Sequence, residues 1–286
     1  MTPAEMTDVD DHEDFGGLGR DAARLLSRRR ALRLTGGVGL LGLVSACGGR
    51  SEGAAQSSAS TTAATTGPSS VAPSAGAAVA TAGGEIPDET QGPYPADGSN
   101  GPNVLTDGAV LRSDLTTSFG DATGTAPGVP LTLHLTLVDA RTAAPRAGAA
   151  LYLWHCTADG QYSIYEVEDQ NYLRGVQTSD DAGRITFTTV FPGCYAGRWP
   201  HAHFEVYESL ASADAGSDAI KTSQIALPQS ACETVYADGR YGRSSSNLGR
   251  LSLASDGIFA DGWSQQLATV DGSVDAGMTA SLLIRL

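Results

Sequence analysis

The sequence predicts an all-β fold, an antiparallel β-sandwich over residues 85–286. Three observations carry this. One run alternates apolar and polar residues cleanly. Several more short runs of branched and aromatic residues are separated by turn signals. No stretch sustains the 3.6-residue period of a long helix. The composition agrees, since 41% hydrophobic residues with 35 glycines and 13 prolines suit many short strands joined by turns.

The first strand is Leu131-Thr132-Leu133-His134-Leu135-Thr136-Leu137. Successive side chains on a strand point to opposite faces, so the leucines face the core and His134 faces out. Residues 150–156 form the second strand, rich in aromatic and branched side chains. Residues 183–191 form the third, after the turn signal Asp181-Ala182-Gly183. Residues 202–207, 222–227 and 279–286 read as further strands, and Asp159-Gly160 marks another turn. No internal repeat is visible.

Residues 1–46 read as an address rather than as fold. Ser27-Arg28-Arg29-Arg30-Ala31-Leu32-Arg33 is basic, and the apolar run 34–46 that follows has only 13 residues. A comfortable membrane span needs about 20. The run ends in Val44-Ser45-Ala46-Cys47. This resembles a bacterial twin-arginine signal closed by a lipobox, with Cys47 as the lipidated mature N-terminus. An uncleaved signal anchor is the alternative. Residues 47–84 read as a disordered linker, because Ser, Ala, Thr, Gly and Pro fill 32 of the 37 positions from Gly48 to Gly84. Such a stretch cannot bury enough apolar area to offset its ordering entropy. The expected location is the outer face of the cell membrane, reached by export and held through lipid alone.

The formal net charge is -14, and 11 basic against 24 acidic residues in 85–286 leave the domain itself near -13. That field excludes nucleic acid as a partner and argues against an anionic lipid surface. Beyond Cys47 the cysteines are Cys156, Cys194 and Cys232. Outside the cytoplasm a disulfide is expected, with Cys194 as a member and either other cysteine as its partner.

The chemistry concentrates in Pro192-Gly193-Cys194-Tyr195-Ala196-Gly197-Arg198-Trp199-Pro200-His201-Ala202-His203. On a strand, His201 and His203 share a face with Glu205 and Tyr207, while Ala202, Phe204 and Val206 share the other. Two imidazoles side by side make half a metal site, although a pair of surface histidines would read the same way. Tyr195 lies six residues before His201, and Tyr162 stands in Gly160-Gln161-Tyr162-Ser163. Two phenolates and two imidazoles suit a hard trivalent cation such as Fe(III). A bound cation removes the phenol proton, and two tyrosinates with one hydroxide would neutralise the ferric charge.

Thr90-Gln91-Gly92-Pro93-Tyr94, Trp154-His155 with Gly160-Gln161-Tyr162-Ser163, Arg174-Gly175, and the Pro192–His203 stretch occur in one order. That order resembles the intradiol ring-cleavage dioxygenases. The resemblance covers nearly all of 85–286. It implies a non-haem ferric iron on Tyr162, Tyr195, His201 and His203. It further implies that Arg198 stabilises charge developing on the substrate ring, and that Gln224 sits behind the ligands. Thr90, Gly92, Pro93 and Tyr94 would line the pocket. The implied reaction opens a catechol-type ring with O2 between its two hydroxylated carbons. Tyr195 is the phenol expected to leave when substrate binds.

Departures accompany the resemblance. The insert between Tyr195 and His201 is short, and a linker stands where catechol-cleaving members carry an N-terminal helical domain. The sequence looks most like an exported, single-domain branch with an open pocket. Two other classes fit part of the sequence. A non-catalytic binding lipoprotein would explain the linker and the acidic surface, yet leaves the four donors idle. A copper or zinc enzyme would use the histidines, but tyrosines are poor zinc ligands. His155 and Arg174 read as structural, His155 packing or bonding within the sheet and Arg174 serving a turn or an internal ion pair. Asp256 and Asp261 read as turn residues.

Overall fold

The computed structural model describes residues 84–286 except Ser217. The expected signal, Cys47 and the linker lie outside the described residues. Among the described residues, no helix is long and apolar enough to cross a membrane.

Eight strands form two four-stranded sheets. They are β1 (Pro130–Val138), β2 (Ala150–Trp154), β3 (Arg174–Thr178), β4 (Arg184–Val190), β5 (His201–Tyr207), β6 (Lys221–Ala226), β7 (Thr269–Ser273) and β8 (Gly277–Arg285). The first sheet runs β4-β1-β8-β7 and the second β3-β2-β5-β6. Three short helices lie between strands: α1 (Leu210–Asp214), α2 (Gln229–Val235) and α3 (Gly242–Leu248). The expected sandwich is present, with one difference. β1 and β8 pair in parallel, while the other ladders are antiparallel. The C-terminal strand lies between β1 and β7 and forms an antiparallel hairpin with β7.

β1 behaves as its alternation dictates. Leu131, Leu133, Leu135 and Leu137 are buried, and His134 is exposed with its ring 3.0 Å from Thr186 Oγ1. Two strands left no mark in the sequence. β3 opens with Arg174-Gly175, and β7 is a mostly exposed edge containing Asp271 and Gly272. Both are made by pairing with a stronger neighbour, β2 and β8 respectively, and not by propensity of their own. The helices have five, seven and seven residues, too few to display a helical period.

The main core lies between the sheets and includes Leu133, Leu135, Leu151, Phe187, Phe204 and Ile225. Each such side chain contributes roughly 1.5–3 kcal/mol by leaving water. A second core covers the outer face of the second sheet, where Tyr152, Trp154 and Val176 pack against Leu105, Val110 and Phe119 of the N-terminal segment. Every residue of β5 is therefore buried. Its Ala202, Phe204 and Val206 face the main core, and its histidine face lies under a protein roof rather than in solvent.

Two structural expectations need correcting. Cys156, Cys194 and Cys232 are buried free thiols, so no disulfide joins them. Cys156 Sγ points at the Gly193 carbonyl (3.4 Å) and Cys194 Sγ at the Ser244 carbonyl (3.7 Å). Arg174 serves neither a turn nor an ion pair. It is fully buried on β3 and donates to the Ser163 hydroxyl (3.0 Å) and carbonyl (3.0 Å) and to the Tyr94 carbonyl (2.8 Å). His155 does bond internally, to Thr189 Oγ1 (2.8 Å) and the Cys156 carbonyl (2.8 Å).

Candidate metal centre

Tyr162, Tyr195, His201 and His203 converge at one end of the second sheet. His201 and His203 open β5, and their ring centroids lie 4.7 Å apart. Tyr195 meets His201 at 5.7 Å, and Tyr162 meets Tyr195 at 5.9 Å and His203 at 6.3 Å. The two Nε2 atoms face each other at 3.0 Å, and Tyr195 Oη stands 3.4 Å from His201 Nε2. Trp154 stacks on His203 with 6° between planes at 5.0 Å and fixes that ring in place.

The backbone explains the convergence. A strand puts the two imidazoles on one face because they are two apart. The turn at Ala196-Gly197, with Gly197 at φ +84° and the Arg198 N–H donating to the Tyr195 carbonyl (3.4 Å), brings Tyr195 back beside them. Gly193 has no room for a side chain, since a Cβ there would stand 2.3 Å from the Thr157 carbonyl oxygen and 2.5 Å from that of Ala158. Gly160 is in the left-handed region at φ +83°, and lets the Tyr162 loop pass close to Tyr195.

Burial dominates the electrostatics of Tyr162, His201 and His203. Burial drives the pKa of both imidazoles well below the ordinary value; Arg198 adds to the effect on His201, and His201 to that on His203. Both rings are therefore neutral. His201 Nδ1 lies against the Trp199 carbonyl, which can only accept, so this nitrogen carries the proton and Nε2 presents a lone pair. The Thr90 backbone is the hydrogen-bonding neighbour of the His203 ring, although Nδ1 makes no bond of normal geometry. Burial pushes the Tyr162 phenol well above its ordinary pKa, with Tyr195 adding to it. The Tyr162 hydroxyl is 1% exposed at the residue level and makes no hydrogen bond of normal geometry. An orphaned buried hydroxyl is costly unless something else satisfies it.

A cation would satisfy all four donors together. Two neutral imidazole nitrogens and two phenols that can yield their protons suit a hard, highly charged ion such as Fe(III). Among the described residues no group of three or more His, Cys, Asp and Glu gathers. The histidine pair becomes a four-donor set only through the tyrosines.

The remaining expected residues are close by. Arg198 is fully buried and donates to Asp256 (3.0 Å) and to the Gln224 side-chain oxygen (2.5 Å). Gln224 pairs across the ladder with His203, and its amide nitrogen donates to the Thr90 carbonyl (2.9 Å). Both ends of the amide are thus fixed. Thr90 is buried and its hydroxyl accepts from the Gly92 N–H (3.0 Å), while Gly92 takes φ +72°. Pro93 follows in that turn, its carbonyl accepting from the Asn100 side chain. Tyr94 is half-buried with its ring 4.9 Å from that of Tyr162.

One residue was underrated by its sequence. Asp256 does organise a turn, accepting from the Ile258 (2.8 Å) and Phe259 (3.1 Å) N–H groups. Its other oxygen takes the Arg198 guanidinium and the Trp199 N–H (2.6 Å). An aspartate in a Gly-rich stretch announces a turn, but nothing local announces a partner 58 residues away. Asp261 stays in the short helical turn Phe259–Asp261.

Comparison with known proteins places the chain in a family. A dioxygenase family model matches residues 100–248, just over half of the chain, so the chain belongs to that family, among the intradiol ring-cleavage dioxygenases. The chain is similar to the intradiol ring-cleavage dioxygenase of Tetranychus urticae, at 25% identity and a TM-score of 0.51, over 63% of this chain and 87% of that one. It also matches the dioxygenase domain of a dioxygenase carbohydrate-binding protein fusion from Streptomyces sp. SirexAA-E, at 23% identity and a TM-score of 0.45, over 71% and 97%. A search of curated proteins finds no match.

Proposed function

We propose that this enzyme opens a catechol-type ring between its two hydroxylated carbons, using O2 and a non-haem ferric iron held by Tyr162, Tyr195, His201 and His203. The observation that carries the reading is the orphaned Tyr162 hydroxyl beside two neutral imidazoles whose Nε2 atoms meet at 3.0 Å. When bound, the iron supplies the Lewis acidity that activates the catechol ring toward O2. The product class is a muconate-type diacid carrying both atoms of O2.

The chain's own residues divide the remaining work. His201 and His203 stay neutral and keep their rings fixed by Trp199 and Trp154. Tyr162 is sealed in and remains in place. Tyr195 is half-exposed, and the next residue, Ala196, is exposed. Its phenol can swing away and take up a proton as substrate hydroxyls arrive. Arg198 is a desolvated cation whose charge acts on Tyr162, His201 and His203. There it opposes negative charge building on the oxygenated ring. Gln224 and Asp256 hold it in that pose.

The test is a visible absorption spectrum of the purified protein with iron quantified. Tyrosinate on Fe(III) gives a broad charge-transfer band. A band that shifts when catechol is added under nitrogen supports the reading. A colourless protein after iron reconstitution would sink it and favour a binding role. Export and lipid anchoring at Cys47 belong to the same proposal. A Cys47→Ser chain should lose membrane association, and unchanged membrane association would remove the anchor.

A further inference from the structure

We propose that helix α3, through Ser244 and Asn247, is the clamp that positions the Tyr195 loop against the Tyr162 loop. This rests on the metal reading above. Ser244 is fully buried, and its hydroxyl is used twice. It accepts from the Cys194 N–H (2.8 Å) and donates to the Ala158 carbonyl (2.6 Å). One oxygen thereby joins the loop that leads into Tyr162 to the loop that carries Tyr195. Asn247, three residues on and so on the same helix face, donates to the Cys194 carbonyl (2.9 Å). Both backbone polar groups of Cys194 are held from α3.

The two loops also press directly on one another. Gly193 N–H donates to the Thr157 carbonyl (3.1 Å). A Cβ on Gly193 would stand 2.7 Å from Ser244 Oγ, and one on Gly160 would stand 3.2 Å from Tyr195 Cβ. The fit is set by backbone contacts and leaves little slack. The clamp then ends. Cys194 is buried, Tyr195 is half-exposed and Ala196 is exposed. The peptide before the phenol is fixed while the phenol keeps a path to solvent. A tyrosine that must leave and return to one place needs this division. Ser244 and Asn247 touch neither the four donors nor any reacting atom, so they are positioning residues.

The experiment compares wild type, Ser244→Ala and Asn247→Ala after loading with ferric iron. The readouts are the position of the tyrosinate band, iron loss to a chelator, and kcat against KM. Supporting groups around metal ligands typically carry about 10–100-fold in affinity. Ser244→Ala should move the band and speed iron loss by about 10-fold or more, with kcat falling more than KM rises. Asn247→Ala should move the same readouts less, at an unchanged melting temperature. If Ser244→Ala does not fold, Asn247→Ala decides, because its side chain is half-exposed and tolerates truncation. Folded variants with an unmoved band and unchanged iron loss overturn the proposal. If wild type itself shows no band, the ferric reading is what fails. Hydrogen exchange at the Cys194 amide in metal-free protein then still judges the clamp: faster exchange in Ser244→Ala supports it, and equal protection overturns it.

Discussion

Arg198 and Asp256 form an ion pair that solvent does not reach, with Nε 3.0 Å from Oδ2 and both side chains fully buried. The pair ties the Arg198-Trp199 peptide to the turn that carries Phe259, whose ring lies 6.5 Å from that of His201. Removing one partner of such a pair strands a charge in the interior, at a cost of about 3–5 kcal/mol.

Asp256→Asn should therefore lower stability by about 3 kcal/mol in denaturant unfolding. It should also reduce turnover, because the guanidinium loses the carboxylate that aims it. A variant with wild-type stability and rate would show that Gln224 alone suffices to hold Arg198.

Arg198→Ala separates charge from iron binding. It should retain iron and lose turnover by about 10²–10³-fold, the scale of a lost charge-stabilising donor. Single-turnover kinetics at saturating catechol would check this. An unchanged rate removes Arg198 from the chemistry.

Tyr162→Phe deletes the orphaned hydroxyl and His203→Ala deletes one of the facing nitrogens. Either change should abolish iron retention through gel filtration in the presence of a chelator. Tyr162→Phe should also leave the metal-free protein at least as stable, since it removes an unsatisfied buried polar group. Full iron content in either variant would refute the ligand assignment.

Glu205 lies below His203 on β5, and burial pushes its pKa up to about 7, against help from the Tyr207 hydroxyl at 2.8 Å. A carboxyl that holds its proton longer when folded stabilises fully below its unfolded pKa. That contribution is lost as pH rises through the folded value. Metal-free wild type should thus lose up to about 3 kcal/mol of stability from this group between pH 5 and 8. Glu205→Gln should lack that slope. Parallel stability curves for the two proteins would show that the carboxyl titrates normally.

The three domain thiols should be inert in the native state. Burial pushes the Cys194 thiol up to about 12, and raises the Cys156 and Cys232 thiols well above their ordinary value. Only the thiolate reacts, so a disulfide reagent should find all three after unfolding and none before. Rapid native labelling of any one, or a cross-link by mass spectrometry, would contradict the free, buried state.

Much of this protein was legible before folding. The alternation in 131–137 specifies β1 and its inward leucines, because a strand has no other way to place them. The spacing of His201 and His203 puts both imidazoles on one face for the same reason. The order of the motifs carried the family and the four donors. What was not legible depends on distance along the chain. Arg174 shows why Thr90–Tyr94 and Tyr162-Ser163 travel together: one buried guanidinium bonds to both segments. The roof over β5, the pairing of β3 and β7, and the parallel return of β8 exist only once neighbours are in place. Asp256 reads locally as a turn residue and acquires its second role from Arg198, which the chain brings back to it. Short-range geometry follows from backbone periodicity, which each segment carries alone. Partners of buried polar groups follow from packing, which no segment carries.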